Sequence, residues 1–277
     1  MANYFGTSGD DDLFGPDGPN GSLSNDLMLG FDGNDRLRGG NGNDTILGGK
    51  GNDTISGGEG NDKLFGGKGD DQIAGFDADD LIFAGKGNDR VNAHDGNDTV
   101  YGGSGSDSLQ GGDGDDIIYG DGGKSYGGGC FKFSFGKYGF DSRGNDTIEA
   151  GAGNDKVYGS KGNDVIVGGT GNDTMSGGDG CDQFVFAKGS GKDVITDFGK
   201  GDSLKFARDL VGADTTITSI KDLKAFVDAN AYVSASISGK DVILKFTSGD
   251  EIKLSDAARD YSSSSKYGCW GHHDWWC

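Results

Sequence analysis

Proline is almost missing from this sequence, whose 277 residues include 2 prolines but 57 glycines. Collagen-like chains combine glycine at every third position with abundant proline, so the shortage of proline excludes that class. Hydrophobic residues are also scarce, at 32%, while the formal net charge is −20. A chain with so little apolar surface and so much like charge is expected to stay disordered unless a bound partner neutralises that charge.

Long apolar runs and basic clusters are missing as well. The start, Met1–Gly6, has no basic region and no apolar stretch, which predicts that there is no cleavable signal peptide. The sequence also lacks the run of about 20 apolar residues that a transmembrane helix needs. The pI near 4.3 argues against nucleic acid and against anionic membrane surfaces as partners.

Motifs of catalysis are a third absence. The chain has three histidines and no H-E-x-x-H metalloprotease motif. The serine-rich strings at 103–106 and 189–191 lack the spacing of a nucleophile elbow. Repeats already begin at Gly6, which leaves no room upstream for an effector region. The sequence therefore predicts that this protein is not an enzyme.

What the sequence does contain is a nine-residue repeat, G-G-x-G-x-D-x-U-x, in which U is apolar. One copy is Gly39–Leu47; ten copies run from Gly30 to Tyr119 and five from Asp141 to Val185. Every copy has aspartate at position six and an apolar residue at position eight. This period is that of a parallel β-helix whose turns bind calcium.

The spacing explains why calcium is expected. Glycines at positions one, two and four allow tight turns, and such turns direct carbonyl oxygens inward. Calcium takes about six to eight oxygen ligands from carbonyls and carboxylates, and the aspartate at position six adds a carboxylate. The predicted metal ligands are Asp35, Asp44, Asp53, Asp62, Asp71, Asp80, Asp89, Asp98, Asp107, Asp116, Asp146, Asp155, Asp164, Asp173 and Asp182.

Two repeats make one coil, so turns on one side recur every eighteen residues and Asp44 is expected to share an ion with Asp62. Ten repeats give eight such pairs and five repeats give three, which predicts about eleven calcium sites. Eleven ions carry +22, which nearly cancels the formal charge of −20. The chain should therefore repel itself without metal and collapse with it.

The repeats divide the chain into five segments: residues 1–29 as an N-terminal cap with degenerate repeats, 30–119 as ten repeats, 120–140 as an insertion rich in glycine and aromatic residues, 141–185 as five repeats, and 186–277 as a C-terminal cap and secretion region. In the last segment, alternating apolar residues predict strands at 183–187, 192–198, 232–238, 241–246 and 251–254. Ser219 to Asn230 is predicted to form an amphipathic helix with Ser219 as its N-cap.

The two sheets should present different faces. On one sheet, position nine forms the column Leu47, Phe65, Phe83, Tyr101 and Tyr119. On the other sheet the same position is Arg38, Ser56, Ala74, Asn92 and Gln110. The first column predicts an apolar ridge that either is covered, by the insertion with its Phe131, Phe133 and Phe135 or by the C-terminal region, or docks a cell-surface, lipid or protein partner.

Four cysteines, Cys130, Cys181, Cys269 and Cys277, permit three pairings. An extracellular setting favours disulfides, and a bond between Cys269 and Cys277 would close a short loop. The alternatives are a transition-metal site formed with His272 and His273, free thiols, or intermolecular links. His94 replaces the usual glycine at position two of its repeat and is expected to be a solvent-facing turn residue.

Taken together, these residues resemble the secreted repeats-in-toxin (RTX, hemolysin-type calcium-binding) proteins. After the repeats, Asp182–Phe186, Asp193–Phe198 and Gly201–Leu204 are similar to the segment that follows the roll in serralysin-type C-terminal domains. The resemblance implies an all-β fold, a calcium-loaded, right-handed parallel β-roll with a small mixed β/α cap. It also implies the type I secretion apparatus as a partner, an uncleaved C-terminal signal, and folding outside the cell.

The sequence thus predicts a secreted, extracellular calcium-binding protein with a binding or surface-interaction role. Two alternatives stay open: a membrane-active, toxin-like protein, and a non-catalytic accessory module of a secreted hydrolase or epimerase.

Overall fold

The structure is a computed structural model that describes residues 3–15, 24–121 and 144–257. Two long sheets lie face to face. The first, here called the aromatic sheet, contains in spatial order β1 (Asn3–Phe5), β3 (Leu27–Asp32), β5 (Thr45–Lys50), β7 (Lys63–Lys68), β9 (Leu81–Lys86), β11 (Thr99–Ser104), β13 (Ile117–Asp121), β15 (Lys156–Lys161), β17 (Thr174–Asp179), β19 (Lys192–Ile195), β24 (Glu251–Leu254), β23 (Asp241–Phe246) and β22 (Val233–Ser238).

The second, here called the polar sheet, contains β2 (Asp12–Phe14), β4 (Arg36–Asn41), β6 (Thr54–Glu59), β8 (Gln72–Asp77), β10 (Arg90–Asp95), β12 (Ser108–Asp113), β14 (Thr147–Ala152), β16 (Val165–Thr170), β18 (Gln183–Phe186), β20 (Ser203–Phe206) and β21 (Thr215–Ile217). The chain alternates between the sheets through short turns, and each strand of the repeats pairs in parallel with the strand two further on. This confirms the predicted parallel β-roll.

The core of the roll is one residue wide on each sheet. Successive side chains of a strand point to opposite faces, so one apolar residue per repeat points inward. These position-eight residues form ladders at the eighteen-residue step, as in the pairing of Ile46 with Leu64 and of Leu64 with Ile82. All three are fully buried. A core of this kind needs few apolar residues, which accounts for the low hydrophobic content.

The insertion leaves the stack of strands unbroken. β12 pairs with β14 and β13 pairs with β15, both in parallel, although the step along the chain is 39 residues at these places. β13 continues to Asp121, so the structure places Gly120 in the roll rather than at the start of the insertion. Residues 122–143 lie outside the described residues, and so does the predicted cover of the aromatic ridge by the insertion.

Glycine at positions two and four is required by the backbone. Gly49 and Gly51 have φ values of +122° and +117°, and a Cβ at either position would collide with a carbonyl of the turn stacked against it. Three aromatic side chains nevertheless occupy position two with positive φ: Phe31 (+80°), Phe76 (+87°) and His94 (+81°). These residues adopt a conformation that costs energy for any side chain other than glycine.

The C-terminal residues close the end of the roll. β19 pairs in parallel with β24, and β24, β23 and β22 form an antiparallel extension of the aromatic sheet. Two helices, α1 (Arg208–Val211) and α2 (Ile220–Ala229), complete this cap. The Ser219 hydroxyl accepts the N–H of Asp222 at 3.1 Å, as expected for the predicted N-cap. Among the described residues, no helix is long and apolar enough to span a membrane.

Candidate metal centre in the stacked turns

The fifteen predicted ligands lie in two columns, one along each turn edge of the roll. Each of these aspartates is only 1–3% exposed. Their Oδ1 atoms join successive turns: the backbone N–H of Asp44 donates to Oδ1 of Asp62 at 2.7 Å, and that of Asp53 donates to Oδ1 of Asp71 at 2.8 Å. Position six therefore connects a turn to its neighbour even before any ion is considered.

The second carboxylate oxygen has a different environment. In thirteen of these aspartates Oδ2 is buried and has no hydrogen-bond partner in the described protein: Asp35, Asp44, Asp53, Asp62, Asp71, Asp80, Asp89, Asp98, Asp116, Asp155, Asp164, Asp173 and Asp182. A buried carboxylate oxygen without a donor or a cation is expensive. Its repetition along the roll indicates that a bound cation belongs there.

Backbone carbonyls approach the same space. The point where a side chain at Gly39 would begin has Oδ2 of Asp44 and the carbonyl oxygen of Gly57 as its nearest atoms. The arrangement recurs one repeat later with Asp53 and the carbonyl of Gly66. Carboxylate and carbonyl oxygens that converge in a flexible turn are the ligands that calcium prefers. The residues present therefore fit calcium.

Side chains alone do not form the site. Among the described residues, no group of three or more histidine, cysteine, aspartate or glutamate side chains is gathered in a way that could hold a metal. Each position-six carboxylate would therefore need turn carbonyls to complete the coordination. Such carbonyl-rich sites suit a hard cation like calcium better than a transition metal, which prefers imidazole or thiolate ligands.

Burial changes the acidity of the aspartates. It raises the pKa of Asp62 and of Asp71 to about 8. It raises the pKa of Asp80, Asp116, Asp155 and Asp182 to about 7, and that of Asp53, Asp89, Asp98 and Asp164 to about 6. The N–H donated by the stacked aspartate opposes this rise. For several of them, nearby carboxylates add to it. In a folded roll without a cation, the central aspartates would hold protons near neutral pH.

The structure joins more pairs of aspartates than the sequence estimate assumed. Thirteen N–H to Oδ1 contacts link repeat aspartates two turns apart, from Asp35–Asp53 to Asp164–Asp182. Two of them, Asp107–Asp146 and Asp116–Asp155, cross the insertion. The estimate of eleven sites treated the two runs of repeats as separate stacks, and it omits these two pairs. How many sites hold calcium stays a prediction.

Both columns also extend beyond the predicted residues. Oδ1 of Asp193 accepts the N–H of Asp173, and Oδ1 of Asp202 accepts that of Asp182, each at 3.0 Å. In the sequence, each of these two aspartates is followed two positions later by an apolar residue, as in the repeats. Each lies twenty residues after the aspartate it stacks on, instead of eighteen. Oδ2 of Asp202 accepts the N–H of Gly199 at 2.8 Å, so this end of the column is closed by a protein donor.

At the N-terminal end, the backbone N–H of Asp11 donates to Oδ1 of Asp35 at 2.8 Å, and that of Asp26 donates to Asp44 at 2.7 Å. Asp35 therefore has a stacked neighbour on both sides, rather than on one side as its place in the first full repeat suggested. The shortened repeats at the start of the chain continue the columns.

The aromatic ridge is present and longer than predicted. Its rings stack face to face along the aromatic sheet: Phe65–Phe83 at 5.3 Å, Phe83–Tyr101 at 4.7 Å, Tyr101–Tyr119 at 4.8 Å and Tyr119–Tyr158 at 4.9 Å between ring centroids. All five residues are half-buried. Because neighbouring rings cover each other's faces, the ridge leaves mainly ring edges accessible.

His94 stacks on Phe76 with 4.8 Å between ring centroids, at the turn edge, and is half-buried. Cys181 forms a disulfide whose other cysteine is not among the described residues. The predicted Cys269–Cys277 bond lies outside the described residues, and so does the alternative metal site at His272 and His273.

Two parallel sheets joined by turns that stack buried aspartates define a calcium-binding β-roll. Comparison with known families matches the RTX calcium-binding nonapeptide repeat to residues 20–125 and 140–195 in overlapping segments. The chain therefore belongs to the family of proteins with RTX calcium-binding repeats, which confirms the predicted family.

Among solved structures, the chain is similar to the extracellular lipase LipA from Serratia marcescens, with 20% identity and a TM-score of 0.27. The match covers 89% of this chain and 44% of the lipase chain, so this chain spans less than half of that protein. No curated protein matches the chain.

Proposed function

We propose that this protein is a secreted RTX protein whose β-roll folds when it binds calcium outside the cell, and that it serves a non-catalytic binding or surface-interaction role. The observation that carries the proposal is the column of buried Oδ2 atoms that have no protein donor, as at Asp62 and Asp71. Calcium binding itself follows from the family, since RTX nonapeptide repeats bind calcium.

The physical reason for coupled folding is electrostatic. The folded turns bury carboxylates that attract protons strongly, so ionised aspartates oppose folding at neutral pH. A narrow core of one apolar side chain per repeat offers little to offset that cost. Bound calcium would supply the missing positive charge and accept the free carboxylate oxygens. The turns hold Oδ1 in place through the N–H of the stacked aspartate, so Oδ2 is already oriented for the ion.

Secretion is supported by the family resemblance rather than by geometry. The resemblance implies the type I secretion apparatus as a partner and a signal at the C-terminal end, where Asp274 precedes Trp275 and Trp276. These residues lie outside the described part of the chain. Export in a bacterial host that carries a type I apparatus, compared with export of a variant truncated after Ala257, tests this part of the proposal.

Calcium titration followed by far-UV circular dichroism tests the folding. The full chain in chelator should show a disordered spectrum, and millimolar calcium should restore β-structure. Magnesium at the same concentration is the control, because it demands a tighter octahedral geometry and should restore little. A chain that keeps its β-structure in chelator would refute calcium-coupled folding.

One observation favours a second function, a membrane-active role. The half-buried ridge of Phe65, Phe83, Tyr101, Tyr119 and Tyr158 is a continuous aromatic strip along the aromatic sheet. Leakage of dye from lipid vesicles, measured for the calcium form with and without Phe83→Ser, would distinguish the two roles. Leakage that depends on Phe83 favours membrane action, and its absence favours the binding role.

A further inference from the structure

The two turn edges of the roll differ in charge at position three of their central coils. On the edge that follows the aromatic sheet, position three of successive coils is Lys50, Lys68 and Lys86, and these residues pair in register. We call this the lysine edge. On the opposite edge the same position is Glu59, Asp77, Asp95 and Asp113, which also pair in register. We call this the acidic edge.

All seven side chains are exposed. Asp79 and Asp115, also exposed, add two more negative charges to the acidic edge at position five. On the lysine edge, Lys50 contacts Asp32 at 2.8 Å, and both side chains are more than half exposed. An exposed ion pair of this kind is worth at most about 1 kcal/mol, so it exchanges readily for another partner.

The spacing makes the two edges complementary. Each edge repeats once per coil, and strands of a sheet are about 4.8 Å apart, so both ladders have the same rise. A second copy that lies alongside the first in a parallel orientation places an acid opposite each lysine. No other partner chemistry is required, because the chain itself carries both matching ladders.

We propose that calcium-loaded rolls associate side by side, with the lysine edge of one copy on the acidic edge of the next. The contact joins two different surfaces, so a pair of copies still offers the lysine edge of one copy and the acidic edge of the other to further copies. Such heterologous contacts continue into open arrays instead of closing into a dimer.

The strained aromatic residues fit the same contact. Phe76 and His94 stack at position two of the acidic edge with positive φ, where the repeat otherwise has glycine. Phe76 is 42% exposed. On the lysine edge, position two is Phe31 in the first coil and then Gly49, Gly67 and Gly85, so no side chain stands at this position beside the three lysines. A costly conformation kept at an exposed place indicates a role for the side chain.

Calcium should control this association. Without metal, the formal charge of −20 makes copies repel one another. One ion for each of the thirteen stacked pairs would bring 26 positive charges and remove that repulsion. The inference rests on the proposed calcium-coupled folding, but the test separates the two, because folding is read by circular dichroism and association by sedimentation.

The test uses the full chain in millimolar calcium, with sedimentation velocity at an ionic strength of about 0.02 M and again at about 0.5 M, since salt screens exposed charges. Wild type should form faster-sedimenting species at low salt and lose them at high salt. The variant Lys50→Glu/Lys68→Glu/Lys86→Glu should stay monomeric. A control with the same charge change in the cap, Lys200→Glu/Lys205→Glu/Lys221→Glu, should associate like wild type.

Mixing provides the decisive comparison. Asp77→Lys/Asp95→Lys/Asp113→Lys gives two basic edges and should also be monomeric alone. Combined with the lysine-edge variant, which has two acidic edges, it should restore the faster-sedimenting species. If the triple variants lose β-structure, the single variants Lys68→Glu and Asp95→Lys replace them in the same mixture.

Three results would overturn the inference. The first is a wild-type chain that is folded but monomeric at every protein and salt concentration. The second is a lysine-edge variant that associates as the wild type does. Binding of immobilised heparin through the lysine edge by a monomeric wild type assigns that edge to a polyanionic partner instead.

Discussion

At the residue scale, the two oxygens of a repeat aspartate have different roles. Oδ1 of Asp71 accepts the N–H of Asp53 at 2.8 Å, whereas its Oδ2 is buried without a protein donor. Asparagine at this position keeps the acceptor oxygen and removes the charge. The substitution therefore separates the stacking of turns from the binding of the cation.

We expect Asp71→Asn to lower the number of bound calcium ions and to destabilise the calcium form by about 3 kcal/mol or more, because Asp71 lies between Asp53 and Asp89 and serves turns on both sides. Asp70→Asn is the matched control, since Asp70 is the exposed neighbour and its Oδ1 accepts the N–H of Asn88. Calcium analysis and thermal unfolding measure both. Equal effects of the two substitutions would refute the assigned role of Asp71.

Protons should compete with calcium for the same carboxylates. Burial raises the pKa of Asp62 and of Asp71 from 3.8 to about 8. A folded pKa above the unfolded one means that the metal-free roll is favoured below about pH 4 and loses this contribution as the pH rises through 8. The metal-free chain should therefore gain β-structure on acidification, and calcium that binds this acid-folded state should displace its protons.

Titration calorimetry of the acid-folded, metal-free chain, in two buffers with different ionisation enthalpies, should detect protons released on calcium binding. The central aspartates are the source, so Asp71→Asn should reduce the release. A folded metal-free chain that releases no protons when it binds calcium would contradict proton competition.

The sequence predicts the stacked columns of aspartates because aspartate, glycine and the apolar residue recur in fixed phase. It predicts Asp44 and Asp62 as stacked neighbours, and their backbone contact agrees with that arrangement. Asp193 and Asp202 were missed because the spacing between Asp182 and Asp193 is two residues longer than one repeat, which shifts both out of the nine-residue phase. The sequence also does not predict which hydrogen-bond donors reach Oδ2, because that depends on which groups lie nearby in three dimensions.

At the scale of elements, the insertion replaces one residue of one turn. Gly120 and Asp121 occupy positions one and two, and Gly144, Asn145 and Asp146 occupy positions four to six. Removing residues 122–142 would join Asp121 to Arg143 and would create an unbroken nonapeptide, Gly-Asp-Arg-Gly-Asn-Asp-Thr-Ile-Glu.

We expect the deletion of 122–142 to leave calcium-dependent folding intact, because the strands on either side already pair. Deletion of 122–140 removes two residues fewer and shifts the phase, so it should weaken calcium binding at Asp146. Circular dichroism and bound calcium, measured for both deletions, check this. If the two deletions behave alike, the assigned phase across the insertion is wrong.

The elements after the repeats could be predicted in part. The alternation in 241–246 and 251–254 predicted β23 and β24, and the apolar spacing after Ser219 predicted α2. The strand β20 was not predicted, although Ser203–Phe206 alternates polar and apolar residues as Glu251–Leu254 does; it pairs in parallel with β18. The helix α1 was missed as well, since four residues are too few for a period to be visible.

At the scale of the whole molecule, the roll has four distinct surfaces. One sheet presents the aromatic ridge, the other presents polar position-nine residues such as Arg38 and Asn92, and the two edges carry lysines and acids. The core does not differ in this way between its two sheets, because position eight is apolar in every repeat. Each surface can therefore change without altering the core or the aspartate columns, which allows one scaffold to carry several interactions.

The continuity of the columns sets how many ions the molecule should hold. Thirteen pairs of repeat aspartates are stacked, two of them across the insertion, whereas two separate runs would give eleven. We expect equilibrium dialysis followed by elemental analysis to find about thirteen calcium ions per chain at saturation, if each pair shares one ion. The deletion of 122–142 should leave this number unchanged, because it removes no stacked aspartate. A count of eleven in the wild type that rises to thirteen in the deletion variant would show that the insertion interrupts metal binding even though the strands pair across it.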